Sequence, residues 1–359
     1  MDQKRFTESL LFKSLCVALF LALVIFFLIY FKEVLKPIAL GILLWYLIKA
    51  FNGLIEKIKF RGKPLNLWVR RALATLIIIG LVEVTIQILV SNISELLTHY
   101  GEYQSTLYMR IASLGEEYGI GNIAEGLKSK IGELNIQGFL KNFLTSITAL
   151  VGNLFLVIIY AIFIILEEHS FNKKLLLLTA TPAQVEKIQF LMDQIYTSTN
   201  KYVMVKAFVS ALTGILGYGV LIIVGVDFAF LWALLIFALN FIPYIGSIIA
   251  TLLPAIFSVL QFGTIWPAIW VFGGIVLIQN IIGNYLEPKV MGKSLNLSPL
   301  VVVVTLSFWG FVWDLLGMLL AVPITSIILI ILAQFPITRG VAIMLTEKGD
   351  IESLQIKDE

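Results

Sequence analysis

Apolar runs of membrane-spanning length alternate with short polar breaks along the chain. A bilayer span needs about 20 apolar residues, so residues 15–31, 34–55, 72–90, 147–166, 202–226 and 265–282 read as crossing helices. The first two lie close enough to form a hairpin. Two further runs, 228–262 and 300–335, are too long for one upright crossing. In the first, Asn240-Phe241-Ile242-Pro243-Tyr244-Ile245-Gly246 interrupts the apolar pattern. Pro243 has no N–H, and its ring collides with the carbonyl of Leu239. Gly246 adds backbone freedom, and Pro254 is expected to disturb the run again. The second run is interrupted at Trp309–Asp314 and again at Pro323, and both runs end in Gln-Phe. Carbonyls freed at membrane depth must face protein or a watery cavity. Each run is therefore either a packed kink or a broken helix of the kind that builds solute sites, and the pair suggests an internal repeat.

Apolar density falls between residues 91 and 146, acids outnumber bases, and seven glycines divide the stretch. It reads as a small helical cap outside the membrane. Thr181-Pro182-Ala183-Gln184 has the form of a helix start, followed by Val185, Ile188, Leu191 and Ile195 at helical spacing. The fold expected is an all-α integral membrane protein with about eight transmembrane helices. Broken or re-entrant elements occupy its C-terminal half. Its parts are N-terminal membrane helices (1–90), the extracytoplasmic helical segment (91–146), a transport core (147–338) and a polar cytoplasmic tail (339–359). The core includes a surface amphipathic helix near 182–200.

Composition narrows the class. Hydrophobic residues make up 59% of the 359, mean hydropathy is +0.95, and no barrel-like alternation occurs. The small net charge of +3 gives no sign of a nucleic-acid partner. Cys16 stands alone, which excludes an intrachain disulfide and a cysteine metal cluster. His99 and His169 have no ligand spacing, so no metal or cofactor is expected. Lys57, Lys59, Arg61, Lys63, Arg70 and Arg71 place their loop, and with it the N-terminus, in the cytoplasm. The 91–146 segment then lies outside. The strip 284–298 lies outside if 228–262 crosses once and inside if that run folds back; Lys289 and Lys293 favour inside. The N-terminus lacks a small-residue cleavage site and reads as an uncleaved first span.

Glu83 and Asp314 are acids within apolar runs. Charges there are costly and are usually functional, paired or protonated, which makes the two candidates for proton or sodium coupling. Glu83 bonded to Gln87 or Lys206, and Asp314 at a water-exposed break, are the structural alternatives. Asn240, Asn280 and Asn284 either coordinate a polar ligand or join helices, and Gln279 reads as helix glue. Glu287 is a gate or a solvated turn. With Pro243, Tyr244, Gly246 and Trp309, the three asparagines and Glu287 make up the candidate solute pathway. Gly292-Lys293-Ser294 resembles the end of a phosphate-binding loop, but Glu287 stands where that loop needs glycine. No catalytic motif is present, so an enzyme is not expected.

The block Asn240–Gly246 resembles the central signature of the autoinducer-2 exporter (AI-2E) family. So does Asn284-Tyr285-Leu286-Glu287-Pro288-Lys289-Val290-Met291-Gly292, continuing to Pro299. Phe308-Trp309-Gly310, with Gly317-Met318-Leu319-Leu320-Ala321-Val322-Pro323, resembles its third block. The resemblance implies a multi-pass protein of the cytoplasmic membrane of a bacterium or archaeon, with about eight spans, forming a homo-oligomer such as a pentamer. It implies a secondary transporter exporting a small polar molecule such as a furanosyl signalling compound. A cation/proton antiporter and a non-transporting membrane assembly or developmental protein are the alternatives. One departure is Asp314, where the family often has glycine.

Overall fold

The computed structural model describes residues 2–56, 59–60, 63–64, 66–119, 121–133, 136–177, 181–292 and 296–354. Lys57, Arg61, Lys293, Ser294 and the last five residues lie outside the described residues. The chain is an all-α membrane protein. Helices α1 (Asp2–Tyr30), α2 (Lys32–Glu56), α3 (Leu67–Glu117), α4 (Gly121–Glu133), α5 (Ile136–Leu177) and α6 (Pro182–Val224) form the first part. Then come α7 (Ala229–Leu239), α8 (Ile245–Phe262), α9 (Ile265–Gln279), a π-helical segment (Asn280–Leu286), α10 (Glu287–Met291), α11 (Pro299–Ala333) and α12 (Arg339–Leu345). A two-residue antiparallel ribbon, Lys59–Phe60 with Lys63–Pro64, sits in the basic loop.

Among the described residues, seven helices are long and apolar enough to cross a membrane. The span expected at 147–166 falls in α5, where the side chains of 146–153 lie outside the described residues. Two expectations change. Gly101 and Gly115 do not cut the chain; α3 runs on through them for 51 residues, about 76 Å. An interior glycine costs a helix only about 1 kcal/mol, which a long packed helix absorbs. The surface helix and the fifth span form a single helix, α6, because no glycine or proline stands between Pro182 and Gly214. Its start is capped as expected, with the Gln184 N–H 3.4 Å from Thr181 Oγ1.

The chain divides into two compact units. The first comprises Met1–Trp45, Leu156–Leu191 and Leu297–Glu359. Here α11 is not one rod. Trp313 (φ −130°) and Asp314 (φ 56°, ψ −140°) leave helical geometry, and the chain turns back. A straight 35-residue helix would span about 52 Å, yet the Ser298 N–H donates to the Leu345 carbonyl at 3.0 Å. At this turn a Cβ on Gly317 would fall on the Trp309 carbonyl. The Trp313 indole N–H donates to the Leu28 carbonyl at 3.1 Å. The Gln334 amide donates to the Leu354 carbonyl, holding the chain beyond α12. Pro323, expected to break the run, lies inside the continuous returning leg.

The second unit comprises Tyr46–Phe155 and Met192–Asn296. Here α7 and α8 form an antiparallel hairpin. Gln261, near the end of α8, accepts from the Asp227 N–H at 2.8 Å and donates to the Gly225 carbonyl at 3.0 Å. Both partners precede α7, so the run folds back and its two ends lie together. Phe257 closes the legs against Trp232 and Phe228, with ring centres 5.1 and 6.1 Å apart. Ile93 and Leu96 of α3, Leu221 of α6 and Val271 and Ile275 of α9 complete this core. Tyr103, on the part of α3 beyond its apolar run, donates to Asp227 at 3.0 Å. Pro254 is buried within α8 without interrupting it.

Candidate functional site

The tip of the second unit's hairpin is built residue by residue from the Asn240–Gly246 block. Helix α7 makes its last regular bond from the Asn240 N–H to the Ile236 carbonyl at 3.0 Å. The Ile242 N–H then turns back to the Leu239 carbonyl at 2.9 Å. Pro243 has no N–H to extend the ladder. Tyr244 adopts φ 61° and ψ −64°, and the Ile245 N–H bonds to the Pro243 carbonyl at 2.7 Å. These are the marks of the rare positive-φ γ-turn, a strained conformation. Gly246 packs so closely that a Cβ there would fall on the Leu239 carbonyl oxygen.

Helix α6 faces this tip with a buried polar stripe: Lys206, Ser210 and Thr213, at spacings of four and three residues. Successive members therefore share a helix face. Asn240, also buried, donates from Nδ2 to Ser210 Oγ at 3.1 Å. Lys206 Nζ donates to Glu287 Oε1 at 2.7 Å. Ser210 lies 14 residues from Val224, so the tip meets α6 about 21 Å along the helix from that end. Glu287 stands at the junction of the π-helical segment and α10. A π turn is wider than an α turn and often marks a functional position. Gln279 donates to the Ser247 carbonyl at 3.1 Å, tying α9 to the start of α8.

The structure thus brings Asn240 and Glu287 onto the α6 stripe, keeps Pro243 and Gly246 within the hairpin tip, and leaves the Tyr244 ring exposed. Asn280 and Asn284 are exposed on the π segment and bond to the Val276 carbonyl and to each other at 2.9 and 2.8 Å. Trp309 and Asp314 belong to the first unit. Trp309 is buried, 5.7 Å from the Trp313 ring. The expectation that Asp314 is a buried acid is not met. Its side chain is 68% exposed at the hairpin tip and pairs with Lys36 at 2.9 Å, because the reversal carries it out of the apolar run. Glu83 is likewise exposed and accepts from Gln87 at 2.9 Å, the partner offered by helical spacing. Ser210 was not named from sequence, and Lys206 was named there only as a possible partner of Glu83. Their signal was present: a lysine within a long apolar helix, with a hydroxyl four residues on.

The AI-2E family transporter model matches residues 15–337. This chain belongs to the AI-2E transporter family. It is 33% identical over 287 residues to the AI-2 transport protein TqsA of Escherichia coli K12, covering 78% of this chain and 82% of TqsA. A Haemophilus influenzae relative is 35% identical over 221 residues, 61% of this chain and 62% of that protein. The Escherichia coli K12 protein YhhT is 26% identical over 276 residues, 74% of this chain and 78% of YhhT. The chain is therefore a multi-pass membrane protein of a family of transporters.

Proposed function

We propose that this AI-2E family protein is a secondary transporter that exports a small polar solute across the cytoplasmic membrane, without enzymatic activity of its own. The observation that carries this reading is the buried polar stripe of α6 meeting the strained hairpin tip, with Asn240 on Ser210 and Glu287 on Lys206. Polar side chains inside an apolar bundle cost free energy unless they serve packing or a ligand. A hairpin that enters and returns brings its tip to membrane depth, where such sites are built. The name of the relative TqsA supports a solute of the furanosyl signalling class. The termini are cytoplasmic in this reading, the working form is a homo-oligomer, and a proton or sodium gradient drives the flux.

Purified protein in proteoliposomes, given a panel of furanoses and other polar solutes with imposed proton and sodium gradients, tests the proposal. Solute flux that falls in Asn240→Ala is expected. Gradient-driven cation exchange without solute movement would favour an antiporter. No flux of any kind would favour a membrane assembly protein.

A further inference from the structure

We propose that Lys206, with the Tyr202 hydroxyl one turn away, forms a binding site for a small anion, occupied in this structure by the chain's own Glu287. The inference deepens the transport reading, on which it rests, by naming the charge class of the ligand.

Lys206 is fixed in the interior of a 43-residue helix, 18 residues or about 27 Å from its Val224 end. Its side chain is 5% exposed, whereas that of Glu287 is 19% exposed. An ammonium group has three N–H donors, and that of Lys206 donates to Glu287. Tyr202 lies four residues earlier on the same face of α6. It is buried at 4% exposure, and its hydroxyl has no hydrogen-bond partner. Buried polar atoms are nearly always satisfied, so an orphaned hydroxyl on a residue one helical turn from a lysine with spare donors points to a missing acceptor.

Of the two charges, the carboxylate is the one placed to move. Glu287 stands where a π segment passes into a five-residue helix ending at Gly292 (φ 57°). Its partial exposure gives it a route to water, and Lys206 has none comparable. A ligand that exchanges with Glu287 must therefore replace a carboxylate. That selects carboxylates, phosphates and other small oxyanions, and it disfavours cations, which Lys206 would repel. Lysine suits this role because it binds oxyanions as a point charge without a fixed fork geometry. The site lies towards the Met291 end of the crossing formed by Ile265–Met291. Either a free anion or the headgroup of an anionic lipid has the required chemistry.

The test melts the purified full-length chain with inorganic phosphate, against chloride at equal ionic strength. Phosphate is expected to raise the midpoint of Glu287→Gln at concentrations about tenfold lower than for the unaltered chain, because the tethered competitor is gone. Lys206→Gln is expected to lose the response. Tyr202→Phe removes one buried oxygen that has no partner, so it should melt no lower without phosphate and need about tenfold more of it. If Lys206→Gln does not fold, the opposite shifts of Glu287→Gln and Tyr202→Phe decide the matter. The same chains in nanodiscs of phosphatidylcholine, with and without phosphatidylglycerol, separate the sources. A phosphate response in phosphatidylcholine alone assigns a free anion, and a phosphatidylglycerol response confined to chains that keep Lys206 assigns a headgroup. No response to either anion in Glu287→Gln overturns the proposal, as does equal protection by neutral ribose. Absent flux in vesicles would remove the transport reading and leave this binding result standing. Flux without any anion response would remove the anion site alone.

Discussion

One methyl group at Gly246 tests the hairpin tip. In Gly246→Ala the added carbon falls on the Leu239 carbonyl oxygen, with the carbonyl carbon at 2.7 Å and Ile242 Cβ at 3.2 Å. None of these atoms can rotate away, so the two legs must separate by about 1 Å. Overpacking typically costs about 1–3 kcal/mol, and a clash with backbone belongs at the upper end. For a chain of this size the loss corresponds to roughly 5 °C in the melting midpoint. Gly219→Ala and Gly273→Ala supply the contrast, since nothing lies within 4 Å of either new methyl. Both sit inside helices, where alanine is favoured over glycine by about 0.5–1 kcal/mol. The same chemical change should therefore lower the midpoint at 246 and raise it slightly at 219 and 273. Melting in detergent, followed by intrinsic fluorescence, measures all three. Solute flux in proteoliposomes should fall in Gly246→Ala alone. A midpoint for Gly246→Ala equal to those of the other two would refute the tight hairpin turn.

Four further outcomes are expected. Tyr244→Gly should melt above Tyr244→Ala by about 1 kcal/mol, since both lack the ring and only alanine must hold positive φ; equal midpoints would deny the γ-turn. Asp314→Gly should likewise exceed Asp314→Ala by about 1 kcal/mol, while loss of the exposed pair with Lys36 costs under about 1 kcal/mol and less in high salt. Gradient dependence kept in Asp314→Gly assigns the position to the turn, and its loss in both variants would assign the carboxylate to coupling. Lys206→Met and Glu287→Gln should each cost about 3 kcal/mol, whereas Lys206→Met with Glu287→Met should cost less than either, because a buried pair is expensive mainly when half of it remains; additive losses in a double-mutant cycle would mean the two do not interact. In a Cys16→Ser background, Lys289→Cys should resist an impermeant thiol reagent in intact cells, as Lys59→Cys should, while Glu117→Cys reacts; labelling at Lys289→Cys would show that 228–262 crosses the membrane.

Both interrupted runs were legible in the sequence, because 35 apolar residues exceed a bilayer and Pro243 cannot donate within a helix. What each interruption does was not legible. Reversal depends on single backbone angles at Tyr244 and Asp314, and a tyrosine gives no sign that it will hold positive φ. Asp314 did carry a sign, since this family often has glycine there. The acid drew attention to charge, although the position's main demand is conformational: φ 56° with ψ −140° is a region that glycine enters without strain. Glu83 and Gln87 found each other as helical spacing predicts. Lys206 offered itself as a partner for Glu83, but its partner is Glu287, 81 residues away, and periodicity within one helix cannot supply a tertiary contact. Pro254 and Pro323 misled in the opposite direction, since each sits in a helix that continues past it.

The length of α3 turns its seat on the hairpin, through Ile93, Leu96 and the Tyr103–Asp227 bond, into a rigid mount for both of its ends. Tyr103 stands 36 residues from Leu67 and 14 from Glu117, or about 54 and 21 Å along one helix. A rod seated from Ile93 to Tyr103, about 15 Å of its length, does not pivot on one bond, so its ends follow the hairpin. The Tyr103–Asp227 bond sits at the root of the hairpin, where Asp227 also engages Gln261. A load on either end would reach the hairpin legs without passing through a flexible loop.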